Sequence, residues 1–282
     1  MDPTDPAQPA EGLIPYGVAH PFWSDGAEKE RWLALPDGLS PTVESDGTLT
    51  LPVGSVVVKH FDLDGERVET RLMVRHEDGA WAGYSYAWEG GDATYAAGGS
   101  AAEINGQTWP IPSSADCLRC HTEAAGHTLG LSLSQLAGSF TYPSGIEADQ
   151  LGTWAHIGLI DEADAEPLAA LGEGDVADQA RAYLDVNCSV CHRPGGPGGG
   201  SLDLRVDTPL SETGACDVAP EQGDLGIDNA RLIAPGDPAR SLIAARMATL
   251  DAQRMPPLGS SVVDEDGLAA VEAWIEGLSG CE

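Results

Sequence analysis

Cys117-Leu118-Arg119-Cys120-His121 and Cys188-Ser189-Val190-Cys191-His192 are the two stretches on which the reading of this chain turns. Each is the attachment signature of a c-type haem. Two thiols add to the haem vinyl groups, and the adjacent His reaches the iron from one side. The spacing suits this chemistry because one turn of helix brings both sulfurs and the imidazole to one porphyrin edge. Two Cys-x-x-Cys pairs can also make a four-cysteine zinc site. Zinc does not require His directly after each second Cys, yet both motifs have it. A thioredoxin-like redox pair fits less well, because no βαβ pattern surrounds either motif. The sequence therefore predicts two covalently attached haems c. Cys117, Cys120, Cys188 and Cys191 are the expected thioether donors, and His121 and His192 the expected iron ligands.

Composition narrows the class. The chain has 282 residues, enough for two domains, and 42% of them are apolar, enough for sizeable cores. No apolar run approaches the ~18 residues a spanning helix needs. The net charge of −31 argues against nucleic acid, whose backbone demands Lys and Arg, and against an anionic membrane surface. It permits steering toward redox proteins with basic patches, although a solvated acidic surface accounts for most of it. Six cysteines leave Cys216 and Cys281 outside the motifs. Covalent haem attachment takes place outside the cytoplasm, where disulfides persist, so a Cys216–Cys281 bond and a periplasmic or extracellular location are expected. Met1-Asp2-Pro3-Thr4-Asp5-Pro6 has neither a basic nor an apolar segment. Residues 1–12 read as a flexible leader of a mature or trimmed form.

Residues 13–125 read as β structure ending in the first motif. Asp46-Gly47, Asp64-Gly65 and Asp78-Gly79 mark hairpins. Between them, Val68, Thr70, Leu72, Val74 and His76 share one strand face, and Arg67, Glu69, Arg71 and Arg75 the other. An antiparallel meander with one buried side follows. Residues 126–171 read as a connector wrapping the first haem. Residues 172–282 read as helical. Val176, Ala180, Tyr183 and Leu184 make an amphipathic stripe running into Cys188, and Leu268, Val271, Trp274, Ile275 and Leu278 make another. The run from Pro194 to Gly200 is too rich in Gly and Pro for helix. It reads as a loop passing close to a haem, or as a plain surface loop.

Met255, in Arg254-Met255-Pro256-Pro257-Leu258-Gly259, is the expected sixth ligand of the second haem, with Met247 as the fallback. The first haem has several claimants. His156 is favoured over His127, His76 and His60, and an open iron is the alternative. Arg240 and Arg246 are candidates for pairing with haem propionates, or are surface arginines.

Through the second motif, Met255-Pro256-Pro257 and the flanking helices, residues 172–282 resemble a class I cytochrome c. Residues 15–125 are similar to the β-sheet cytochromes that include cytochrome c-prime beta and the lysine-cross-linked haem enzymes of ammonia oxidisers. Pro52-Val53-Gly54-Ser55-Val56-Val57-Val58-Lys59, Met73-Val74-Arg75 and Trp81 carry that likeness. The whole chain resembles a set of uncharacterised bacterial dihaem proteins, through Trp23-Ser24-Asp25-Gly26-Ala27-Glu28-Lys29 and the Met255 stretch. These resemblances imply an α+β chain: an N-terminal antiparallel β-sheet haem domain followed by an all-α class I cytochrome c domain. They imply single-electron transfer between redox partners. The alternative is an enzyme whose open first haem acts on peroxide or a nitrogen oxide, with Lys59, His60, His76 or Glu77 as distal acid/base groups. A filament module is the least favoured class.

Overall fold

Asp-Gly pairs shape the first half of the chain. In the computed structural model, which describes residues 9–282, the strands are β1 (Ile14–Pro15), β2 (Glu28–Ala34), β3 (Thr42–Val43), β4 (Leu49–Thr50), β5 (Val56–Leu63), β6 (Glu66–Arg75), β7 (Trp81–Glu89), β8 (Asp92–Tyr95), β9 (Ser100–Ile104) and β10 (Gln107–Ile111). A six-stranded sheet runs β1-β2-β5-β6-β7-β8, antiparallel throughout. Asp64 and Gly65, at φ 52° and 80°, close the β5–β6 hairpin with the twist that tight turns require. Asp46-Gly47 lies between β3 and β4, and Asp78-Gly79 between β6 and β7. Asn105-Gly106 closes β9–β10 in the same way, a turn the sequence reading passed over.

The sheet has no single buried side. Thr70, on the apolar face of β6, is 3% exposed, but Glu69, on the charged face, is fully buried. Strand alternation says which residues share a face and not what covers each one. Here the charged face is covered by α1 (Ser114–Cys120), which packs on β7, and at Glu69 by Trp109 of β10, whose indole donates to its carboxylate. A bulge sets the register. Asp62 pairs with Arg67 but Phe61 pairs with Glu69, so Val68 has no opposite number. Lys59 therefore faces Arg71; without the extra residue it would face Thr70.

The chain divides into two compact units. The first takes Ala27–Pro167 with the chain up to Ala19; the second takes His20–Gly26 and Leu168–Glu282. Residues 1–8 of the expected leader lie outside the described residues. Most of the segment expected to connect two domains belongs to the first unit. It forms α2 (Leu133–Leu136), β11 (Ser139–Thr141), β12 (Glu147–Asp149) and α3 (Gln150–His156). Its Leu131, Leu136, Leu151 and Trp154 pack with Tyr16, Leu33, Val57 and Met73 in one core.

The second unit corrects the expected fold class. Its helices are α4 (Val176–Asn187), α5 (Leu242–Ala248) and α6 (Glu265–Gly277). Among the described residues helix makes up only about 20%, in six short helices, and the rest is mostly β-sheet and coil. An all-α class I cytochrome c domain is therefore not what residues 172–282 build. The two amphipathic stripes form helices, but Pro194 to Gly200 and the turn-forming residues after it favour no continuous helix before Leu242. α4 and α6 cross where Gly267 lacks a side chain: a Cβ there would lie 2.1 Å from the Tyr183 ring. Ala180, Leu184, Leu268, Val271 and Ile275 pack around that crossing. Cys216 and Cys281 are disulfide-bonded. No helix among the described residues is long and apolar enough to cross a membrane.

Two predictions follow from these contacts. The disulfide closes a sequence separation of 65 residues, so Cys281→Ser is expected to cost about 4 kcal/mol. Urea unfolding with and without reductant checks this, and identical midpoints would refute it. His60 is buried, its Nδ1 2.6 Å from Thr70 Oγ1, and burial, with the charge of Arg67, pushes it down to about 3. The unfolded chain takes up that proton near pH ~6.5 and the folded chain does not. Stability from neutral His60 is present above pH ~6.5 and falls as pH drops toward 3. His60→Gln should reduce the loss between about pH 7 and 4.5 by roughly 2–3 kcal/mol relative to the wild type, read from urea unfolding at both pH values.

Candidate haem-attachment sites

The first motif is seated by a glycine. A Cβ on Gly83 of β7 would lie 2.4 Å from Cys117 Cβ and 2.6 Å from its Sγ, so Cys117 rests directly on the sheet. α1 is well started: the Ser113 and Asp116 side chains cap each other's backbone, a reciprocal box that fixes the first turn. His121 N–H bonds to the Cys117 carbonyl at 3.0 Å. That turn carries Cys117, Cys120 and His121 on adjoining positions. The four motif cysteines stand outside the disulfide.

His121 has a defined tautomer. Its Nδ1 lies 2.5 Å from the His127 carbonyl oxygen, which can only accept, so Nδ1 carries the proton and Nε2 keeps its lone pair. Metal-bound histidines are oriented in this way. His127 stands at φ 60° and stacks on Trp81 with centroids 5.8 Å apart. Burial, with the charges of Lys59 and Arg71, pushes His121 down to about 3, so it is neutral. Lys59 lies on the same face, donating to the Leu129 carbonyl at 3.3 Å. Burial and the nearby Arg31, Lys29 and Arg71 charges push it down to about 7.

The other claimants on the first iron are elsewhere. His156 is exposed in the last turn of α3, which packs on α2 and β12, whereas α1 packs on β7. His60 alternates with Lys59 and so points to the opposite sheet face. His76, also exposed, meets the Tyr84 hydroxyl through Nε2 at 2.9 Å. Glu77 is exposed beyond the end of β6, and Lys59 is a distal candidate named from sequence that lies on the His121 face.

The second motif follows α4 without a break. The N–H groups of Cys191 and His192 both bond to the Cys188 carbonyl. The Gly/Pro loop then returns on the motif. A Cβ on Gly196 would lie 2.3 Å from the Cys191 carbonyl oxygen, and one on Gly198 would lie 2.6 Å from His192 Nδ1. Among the described residues, His192 Nδ1 is buried with no hydrogen-bond partner. Burial, then the Arg246 charge, lowers the His192 pKa. Arg246 accepts from Met255 N–H through its carbonyl at 2.9 Å and donates from Nη1 to the Gln253 carbonyl. That bond is to the Arg246 backbone and not to its guanidinium, and the Met255 side chain is exposed. It lines a cleft with Trp23, Tyr183, Met247, Pro256 and Val262. Arg240 is held instead by Asp237 at 2.7 Å.

These surroundings bear on the competing chemistries. Burial pushes the Cys188 thiol up to about 12 and raises that of Cys117. Redox-active Cys-x-x-Cys pairs have depressed values. Among the described residues no three His, Cys, Asp or Glu side chains converge as a metal centre. At the first motif a buried Cys117 and a half-buried Cys120 beside a neutral, oriented His121 fit covalent haem. The sequence reading placed His20–Gly26 in the first domain, whereas it belongs to the second unit. Trp23 N–H bonds to Asn187 and its indole to the Val262 carbonyl, and the Asp25 carboxylate accepts from Val262 N–H. No local signal marks that docking.

Gly83→Ala is expected to lift α1 from β7, destabilise the protein by ~1–3 kcal/mol as overpacking does, and lower haem attached at the first motif. A pyridine haemochrome assay per chain, with urea unfolding, measures both; full haem content and unchanged stability would refute the seating of Cys117 on Gly83. No family model matches this chain, and comparisons with curated proteins and with solved structures return no match.

Proposed function

We propose that this chain is an exported dihaem c-type cytochrome that passes single electrons between redox partners. The observation that carries this reading is the His121 Nδ1 bond to the His127 carbonyl, which leaves Nε2 free at the end of a turn bearing Cys117 and Cys120. Bound haem would supply the one-electron iron chemistry. The chain's own residues attach it, orient the ligands and set the dielectric around it. Cys117, Cys120 and His121 would hold one haem; Cys188, Cys191 and His192 the other, with Met255 at its sixth position. The Cys216–Cys281 bond suits a periplasmic or extracellular location. The charge of −31 suits partners with basic patches.

A second reading is favoured by the place of His156, exposed at the end of α3. Without that ligand the first haem would keep an open position and act on peroxide or a nitrogen oxide, with electrons supplied through the second. The likeness of residues 15–125 to β-sheet cytochromes with an open haem agrees with this.

Ferric and ferrous optical spectra of the holoprotein, with and without carbon monoxide, test both readings. Two covalent haems per chain, both low-spin and indifferent to carbon monoxide, are expected of a carrier. One high-spin haem that binds carbon monoxide selects the enzyme reading. Absence of covalent haem overturns both. In the carrier, Met255→Ala should lower the potential of the second haem and open it to carbon monoxide; an unchanged potential removes Met255 as its ligand.

A further inference from the structure

Three cations stand in one cross-strand row on the face that holds His121. Arg31 of β2 pairs with Lys59 of β5, Lys59 with Arg71 of β6, and Arg71 with Ser85 of β7. Lys29 lies two residues from Arg31 on that face, so both lysines of the chain are here. Like charges directly opposite on neighbouring strands weaken a sheet, and none of these cations is fully exposed. The acidic chain supplies little compensation. Glu69 is fully buried, and Arg71 takes both its oxygens at 2.7 Å. Arg31 donates to the Lys29 carbonyl and Lys59 to the Leu129 carbonyl. Among the described residues neither forms an ion pair. Two charges of the row, Arg31 and Lys59, are thus kept partly buried without counter-charge, which is costly.

The row also has an address. Trp81, Gly83 and Ser85 of β7 share its face by alternation. His127 stacks on Trp81, Cys117 rests on Gly83, and Ser85 closes the row. The segment from Cys117 to Leu129 therefore lies over the part of the sheet that carries the cations.

We propose that Arg31, Lys59 and Arg71 form an anion-binding site beside the first haem motif, taking a carboxylate or a small oxyanion. That anion is either the carboxylates of the haem held by His121 or an oxyanion such as nitrite drawn from solution. The proposal rests on the haem reading and deepens it by naming the charge of the ligand. Planar guanidinium groups suit two-oxygen acceptors, and the flanking lysine adds a point charge.

The holoprotein and its Arg31→Gln and Arg31→Lys variants are titrated with sodium nitrite at fixed ionic strength. The potential of the first haem is followed across about pH 5 to 9, where haem carboxylates and their neighbours ionise. If the anion comes from solution, the ferric spectrum responds to nitrite, about tenfold or more weakly in the Gln variant, with recovery in the Lys variant. If it is the haem carboxylates, nitrite has no effect, and the Gln variant shifts the potential–pH profile while the Lys variant restores it. Equal nitrite responses and equal profiles in all three chains overturn the proposal. A chain without haem overturns the haem reading instead. Sulfate against chloride at equal ionic strength then tests the row alone. A thermal midpoint raised by sulfate in the wild type and not in the Gln variant supports it, and equal shifts overturn it.

Discussion

Cys117 lies against the sheet because position 83 has no side chain, and the first motif depends on that contact. A helix of seven residues has little stability of its own. Its place comes from its cap and from what it packs against. With Cys117 fixed on β7, Cys120 and His121 follow within one turn, and the chain beyond must run back over the charged face of the sheet. His127 can then stack on Trp81 and offer its carbonyl to His121. The second motif uses missing side chains too, at Gly196 and Gly198 against Cys191 and His192. In both places a methyl group would occupy space already filled by the motif.

Burial of charge is the second constraint, and it acts through the register of one hairpin. The extra residue at Val68 brings Arg71 opposite Lys59. Arg71 is partly satisfied by Glu69, and its guanidinium sits 4.2 Å from the centroid of the Phe61 ring. The Trp109 indole donates to the same carboxylate at 3.0 Å. These contacts make a buried ion pair acceptable by meeting its hydrogen-bonding needs. Among the described residues Arg31 and Lys59 donate to backbone carbonyls and form no ion pair; carbonyls offer dipoles and no charge. The sheet therefore departs from the rule of apolar-in and polar-out at the surface that adjoins the motif. Such departures concentrate where a site is built.

Much of this was legible in the sequence. Asp-Gly pairs gave their hairpins because only a few residues accept positive φ at two adjacent positions. The helices beginning at Val176 and Glu265 followed from apolar spacing, and the disulfide from the two cysteines left outside the motifs. What was not legible depends on contacts distant in sequence. Alternation in β6 sorted Glu69 and Arg71 onto one face correctly but could not say that α1 and Trp109 cover it. The bulge at Val68 has no composition signal, so the pairing of Lys59 with Arg71 was hidden. Residues 126–167 lack strong periodicity and read as a connector, yet Leu136 and Trp154 are fully buried in the first core. The second unit read as all helix because two good stripes were extended across a region whose Gly and Pro residues do not support one.

The same five-residue motif stands in two different settings, and the difference bears on what each iron ligand can do. His121 has its Nδ1 proton committed to a carbonyl held in place by a stacked ring. Its imidazole is fixed in tautomer and orientation, and the hydrogen bond raises its donor strength. Among the described residues His192 has a buried Nδ1 without such a partner, where Gly198 leaves no room for a side chain, and burial, then the Arg246 charge, disfavours added positive charge on it. Were both to hold haem as proposed, the first imidazole would favour the more highly charged iron more than the second, and the cations beside His121 would oppose it. The difference between the two settings lies outside the motifs: in the His127 carbonyl, Lys59 and Arg71 in the first unit, and in Arg246 in the second.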